Sequence, residues 1–189
     1  VNMRIGLIGF GEVGSIMAAG LRQQADSVSA WDRLLADQRA SSAMRETARA
    51  QGIHLVDGPQ ALCASSDLII SAVTASNTLS VAQTIASSIR PGCWFLDLNS
   101  ASPGTKQRAA ASIAAAQGRY VEAGVMTSVP PFGIAVPMLL GGPHAAELEP
   151  VLSAWGMNVE RVSDQVGIAS ATKMCRSVMI KGLEALVIE

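Results

Sequence analysis

Lys173 and Ser177 stand four residues apart in the run ATKMCRSVMIKG, and Lys181 follows after four more. On a helix that spacing puts the three on one side, beside a small and apolar face of Ile168, Ala171, Met174, Cys175, Val178, Met179 and Gly182. A lysine at a substrate pocket, its pKa lowered by desolvation or neighbouring cations, serves as a general acid or base. The competing reading is a solvated helix face. A second group is Gly9-Phe10-Gly11-Glu12-Val13-Gly14, a G-x-G-x-x-G run. Between a strand and a helix, Gly9 permits the tight turn, Gly11 lets the backbone approach a pyrophosphate, and Gly14 lets helix and strand pack closely. The phosphates then meet free N–H groups and the positive end of the helix. Asp32 lies 23 residues after Gly9, near the ~20 of a dinucleotide fingerprint. Its carboxylate accepts hydrogen bonds from both adenosine ribose hydroxyls and repels a 2′-phosphate, which favours NAD. Arg33 beside it is able to pair with that phosphate and keeps NADP in view. FAD enzymes share the fingerprint, and methyltransferases also place a glycine-rich loop after their first strand.

Those residues need a scaffold. Apolar runs at 3–9, 27–32, 53–58, 67–73, 93–98, 119–125, 136–142 and 157–162 read as strands. Helical patterns at 11–24, 34–50, 76–89, 103–117 and 143–155, and from about 166 to the end, separate most of them. Strands alternating with helices mean crossovers and parallel pairing. The runs are apolar throughout, as for strands covered on both faces. The fold class is therefore α/β, a doubly wound Rossmann-type, mostly parallel sheet ending in a long helix. We expect a dinucleotide-binding domain over 1–164, and over 165–189 the start of an interdomain helix leading to a C-terminal helical domain. That last helix runs apolar to Glu189 with neither cap nor glycine stop.

In an open α/β sheet, ligands bind beyond the carboxyl ends of the strands. Three such ends carry polar groups: Val73-Thr74, Asn99-Ser100, and the bent stretch VEAGVMTSVPPFGIAVP (121–137), with Met126, Thr127 and Ser128 before Pro130-Pro131. Thr74 and Ser100 suit the nicotinamide side of a cofactor; the alternative is that they cap helices. Ser102 before Pro103 reads as an N-cap.

Composition excludes several classes. The 189 residues are 49% hydrophobic with a formal charge of −1, and the 14 Lys and Arg form no basic run. That gives no electrostatic case for nucleic acid or a membrane surface. The apolar stretch 174–188 is broken by Arg176, Lys181 and Glu184, so no transmembrane helix is expected. The chain enters a strand at Met3, so no signal peptide is expected. Three cysteines without a CxxC read as free thiols of a reducing, cytoplasmic compartment. His54 and His144 have no ligand-spaced partners, so no metal is expected.

The order of motifs resembles the β-hydroxyacid dehydrogenase family, which includes 6-phosphogluconate dehydrogenase, over nearly all of the chain. GLIGFGEVGS (6–15) is similar to the family's opening, and DLNSASP (97–103) to its D-x-S-[ST]-x-x-P segment. EAGVMTS (122–128) falls where the family has D-A-P-V-S-G-G, and GIASATK (167–173) is similar to its G-x-x-x-x-x-K run. The resemblance implies hydride transfer between a nicotinamide and a small, anionic hydroxy acid or carbonyl substrate. It implies Lys173 as general acid/base, Ser100 on the nicotinamide side, and Met126, Thr127 and Ser128 at the substrate. Where the family has Asn after the lysine, this chain has Arg176 and Ser177, implied to bind a substrate anion and to replace the Asn amide. A homodimer formed through a C-terminal domain is implied as well. Met-Thr-Ser in place of Ser-Gly-Gly fills a backbone cradle with side chains, and motivates a second reading, a non-catalytic NAD(P)-binding or sensor module.

Overall fold

The computed structural model describes residues 3–188. Eight strands, β1 (Arg4–Ile8), β2 (Ser27–Trp31), β3 (His54–Leu55), β4 (Leu68–Ser71), β5 (Trp94–Asp97), β6 (Arg119–Val125), β7 (Met138–Gly141) and β8 (Val159–Ser163), form one sheet. Their order is β3-β2-β1-β4-β5-β6-β7-β8. All neighbours pair parallel except β6 with β7. The helices are α1 (Glu12–Leu21), α2 (Ser42–Gln51), α3 (Pro59–Ser65), α4 (Thr78–Ala86), α5 (Pro103–Ala115), α6 (Ala145–Ala154) and α7 (Ile168–Ile188). The chain is a doubly wound Rossmann-type α/β fold closing on a long helix.

Side-chain alternation along the strands explains the two-sided core. Leu7, Leu68, Ile70 and Leu96 pack toward α1, α2 and α6. Ile8, Ile69, Phe95 and Tyr120 pack toward α3, α4 and α5. Order reverses at β1, with β2 on one side and β4 on the other. Such a reversal opens a crevice at the carboxyl ends of the strands.

Two local features depart from the sequence reading. The polar stretch 34–50 is not one helix. Asp32 caps a short turn at Arg33–Ala36, and the Asp37 carboxylate accepts the N–H groups of Arg39 (2.8 Å) and Ala40 (3.1 Å) before α2 begins. An aspartate bonding to the backbone ahead of it competes with helix continuation. The seven-residue α3 was absent from the expected elements; Gly58 and Pro59 open it, as proline suits a first helical position.

Beyond its first turns α7 exposes Val178, Met179, Leu183, Leu186 and Val187. No helix among the described residues is long and apolar enough to cross a membrane, and none of their His, Cys, Asp and Glu groups is placed to hold a metal ion. Cys63 and Cys93 are buried, whereas Cys175 is exposed on α7. Burial pushes the Cys63 thiol up to about 11 and that of Cys93 up to about 12. Since the thiolate is the reactive form, alkylation of the native protein near pH 8 should mark Cys175 alone. Peptide mass spectrometry checks this; label on Cys63 or Cys93 without unfolding would contradict it.

Candidate active site

The first crevice lies where β1, β2 and β4 end. Gly9 follows β1 with φ +90°, and a Cβ there would collide with the Ala72 carbonyl oxygen. A Cβ on Gly14 would collide with the carbonyl oxygen of Gly9, whereas one on Gly11 would meet open space. The turn and the first turn of α1 are therefore in close contact, and the backbone at Gly11 is accessible. No side chain caps α1, which leaves its first N–H groups available to an anion. Phe10 buries its ring in the core. Its N–H donates to Asp32 Oδ2 at 2.9 Å, and the N–H of Leu34 donates to Asp32 Oδ1 at 2.9 Å. Each carboxylate oxygen retains a lone pair, and the carboxylate is held at the rim. Gly9, Gly11, Asp32, Arg33, Val73 and Thr74 together line a cavity of 430 Å³. Glu12, Val13 and Gly14 belong to the first turn of α1 behind it. Accessible backbone, unpaired N–H groups and a fixed carboxylate fit the pyrophosphate and ribose of a dinucleotide. The Thr74 hydroxyl accepts from the Asn77 amide at 2.7 Å and caps no helix.

A second cavity, of 360 Å³, lies between β5, β6 and α7, with Asn99, Ser100, Gly124, Ser170, Lys173 and Ser177 in its wall. Lys173 Nζ donates to Ser100 Oγ at 2.5 Å. Burial, and then the charge of Lys106, hold the Lys173 ammonium below its ordinary value of 10.5. Ser100 is positioned from beneath. The Asn99 side chain accepts the Val73 N–H (2.7 Å) and donates to Ser71 (3.0 Å), and its own N–H donates to Asp97 (2.9 Å). The same amide thus ties Val73 of the first cavity to the turn carrying Ser100. Asp97 also accepts from Lys106 Nζ (2.9 Å) and the Tyr120 hydroxyl (2.7 Å), all three side chains being buried. Ser102 caps α5, its hydroxyl accepting the Thr105 N–H at 3.3 Å.

Met126, Thr127, Ser128 and Arg176 line neither cavity. The Arg176 guanidinium donates to the Met126 carbonyl at 2.6 Å, which ties α7 to the loop. The Met126 N–H donates to the Pro137 carbonyl at 2.9 Å, and Val129 and Val136 are buried. The loop closes on itself over 126–137, with Ile134 seated against Gly20 of α1.

Glu122, Ser170 and Lys106 also support this site, by contacts that their local sequence does not specify. Glu122 does carry a signal, an acid inside the otherwise apolar run YVEAGV, because a buried carboxylate needs partners. Lys106 carries none, since a lysine in an alanine-rich helix reads as solvated.

The fold and the first cavity define a dinucleotide-binding domain of Rossmann type. Residues 4–164 match the family described as the NAD binding domain of 6-phosphogluconate dehydrogenase; the chain belongs to that family, and so to the NAD(P)-dependent, hydroxyacid-dehydrogenase-like proteins. A conserved hypothetical protein from Sinorhizobium meliloti 1021 has a solved structure 41% identical in sequence, with a TM-score of 0.92, over 100% of this chain and 63% of that one. An uncharacterised 28.5 kDa protein of Methanothermus fervidus is 28% identical over 99% of this chain and 69% of its own length. The 2-(hydroxymethyl)glutarate dehydrogenase of Eubacterium barkeri is 26% identical over 95% of this chain and 59% of its own. The chain thus spans about three fifths to two thirds of the length of these relatives.

Proposed function

We propose that this chain is the cofactor half of an oxidoreductase. It would move a hydride between NAD, or NADP, and the alcohol or carbonyl carbon of a small, anionic hydroxy acid or oxo acid. The observation that carries the reading is Lys173, half-buried, with its Nζ on the Ser100 hydroxyl at the carboxyl edge of the sheet, one strand from the dinucleotide cavity. When bound, a nicotinamide supplies or accepts the hydride. Neutral Lys173 takes the substrate hydroxyl proton on oxidation, and its ammonium returns the proton on reduction. Ser100 fixes the Nζ and lends a hydroxyl to the substrate oxygen. Ser177, on the same wall, offers a further hydroxyl to the substrate. Asp32 takes the ribose of NAD, and Arg33 beside it admits the phosphate of NADP.

Residues 165–189 we read as the start of the interdomain helix, and the domain beyond it as the part that completes the pocket and joins two subunits. The greater length of the relatives and the exposed apolar residues of α7 support this.

The test is a thermal-shift comparison of NAD, NADP and S-adenosylmethionine, followed by a hydroxy-acid screen on the full-length protein that includes 2-(hydroxymethyl)glutarate. A ligand at a hundred times its Kd stabilises by ~2.7 kcal/mol, which for a chain of this size raises Tm by roughly 5–11 °C. A nicotinamide dinucleotide should give that shift. Gly14→Val, whose side chain would collide with the Gly9 carbonyl, should abolish it. A shift with S-adenosylmethionine alone would end the proposal. Dinucleotide binding with no hydride transfer across the screen would favour a non-catalytic binding module.

A further inference from the structure

We infer that Glu122 is a positioning residue: from β6 it holds the first turn of α7 through three hydrogen bonds and so sets Lys173 against Ser100. Its carboxylate is wholly buried. Oε1 accepts the N–H groups of Gly167 (2.7 Å) and Ala169 (3.0 Å), and Oε2 accepts the Ser170 hydroxyl (2.9 Å). The first turn of a helix leaves its N–H groups without intrahelical partners, and its positive end favours an anion. Glu122 supplies that cap from the neighbouring strand, not from the helix's own sequence. Two glycines make the arrangement fit. A Cβ on Gly141 of β7 would lie 2.6 Å from Glu122 Oε1. A Cβ on Gly124, two residues along the same face of β6, would lie 3.0 Å from the Ala169 carbonyl oxygen and 3.6 Å from Lys173 Cβ. The carboxylate pins the helix start, Gly124 lets the helix lie close to the strand, and Lys173 follows one turn on.

The elements packed against α7 are β6, β7, β8 and α5. Of their charged side chains, Arg108, Glu160 and Arg161 are exposed and Arg119 pairs with Glu147, whereas Glu122 and Lys106, the latter with its partner Asp97 of β5, are buried. Arg176, on α7 itself, is directed to the Met126 carbonyl. A helix start held this tightly keeps Lys173 inside the wall of its cavity, where burial and Lys106 lower its pKa. A helix released at its start lets the lysine swing into solvent.

The inference deepens the reading of Lys173 as the acid/base group and rests on it, so its test reads the lysine directly and requires no turnover. Trace labelling of the full chain with acetic anhydride across a pH series, with peptide mass spectrometry, gives the ionisation profile of Lys173. In the parent protein the midpoint should lie below the ordinary lysine value. Glu122→Gln keeps a carbonyl oxygen for both N–H groups and should leave the profile in place. Glu122→Leu, similar in volume but without an acceptor, should raise the midpoint, so that labelling at a fixed pH below it falls by roughly 3- to 10-fold. A folded Glu122→Leu protein with the parent profile would reduce Glu122 to a stabilising role and overturn the inference. A Glu122→Gln profile displaced as far as that of Glu122→Leu would overturn it too. If Glu122→Leu fails to fold, Gly141→Ala, whose Cβ would lie 2.6 Å from Glu122 Oε1 and displace the carboxylate, carries the same test with the same two outcomes. An ordinary Lys173 profile in the parent protein would instead remove the reading of Lys173 itself.

Discussion

Lys173→Ala in the full-length protein is expected to lower hydride transfer by about 10²- to 10⁴-fold, the usual contribution of a positioned acid/base group, while NADH binding stays unchanged. The separation follows from the architecture. Lys173 stands in the wall between β5, β6 and α7, whereas the cavity bounded by Gly9, Gly11 and Asp32 does not include it. Lys173→Arg should do no better, because a guanidinium keeps its proton and accepts none. The pH dependence has a definite sign. Oxidation requires the neutral amine, so its rate should rise with pH through the Lys173 pKa, with a midpoint below 10.5 because burial and Lys106 disfavour the ammonium. Reduction requires the ammonium and should fall over the same window. Turnover is followed by NADH absorbance and binding by fluorescence titration. Near-normal turnover in Lys173→Ala would withdraw the assignment.

The second large effect concerns stability. Lys106→Met should cost about 3–5 kcal/mol, because it strips the cation from a buried carboxylate. The side chains of Lys106 and Asp97 are each 1% exposed, with Nζ at 2.9 Å from Oδ1. Asp97 would retain only the Tyr120 hydroxyl and the Asn99 N–H. For a chain of this length the loss corresponds to roughly 6–20 °C in Tm, read by calorimetry. Adding Asp97→Asn removes the orphaned charge and should recover part of it. Burial holds the Lys106 ammonium below 10.5. Between the folded value and 10.5 the unfolded chain therefore binds more protons than the folded one. The Lys106 contribution to stability rises with pH across that interval and is lost as pH falls through the folded value. Lys106→Met should lack this rise. A change under about 1 kcal/mol would mean that water reaches the pair.

The dinucleotide crevice was legible in the sequence because its parts are local. A glycine turn after an apolar run, and an acid at the end of the next strand, are read within some thirty residues. The apolar runs announced the two-sided sheet for the same reason. What escaped depends on pairing across the chain. Glu122 meets Gly167 and Ser170 more than forty residues away, and no local pattern announces such a partner. Lys106 looks solvated until α5 is laid on β5. The stretch 34–50 had helical composition throughout, yet Asp32, accepting the Leu34 N–H, and Asp37, accepting those of Arg39 and Ala40, broke it in two. Loop 126–137 invited a direct role through its hydroxyls. In the structure its backbone at Met126 is held by the Arg176 guanidinium and the Pro137 carbonyl, and Met126, Thr127 and Ser128 line neither cavity.

The strand order sets a distance. One cavity spans the ends of β2, β1 and β4 about a centre at β1, and the other falls between β5 and β6, two to three strands from that centre. At about 4.8 Å per strand the two are roughly 10–14 Å apart, a span fixed by backbone ladders and not by any side chain. The sheet is thus a ruler for whatever bridges them. Loops at its edge can lengthen, shorten or change composition without altering that gauge, so sequence change at the margins would leave the spacing between the two cavities as it stands.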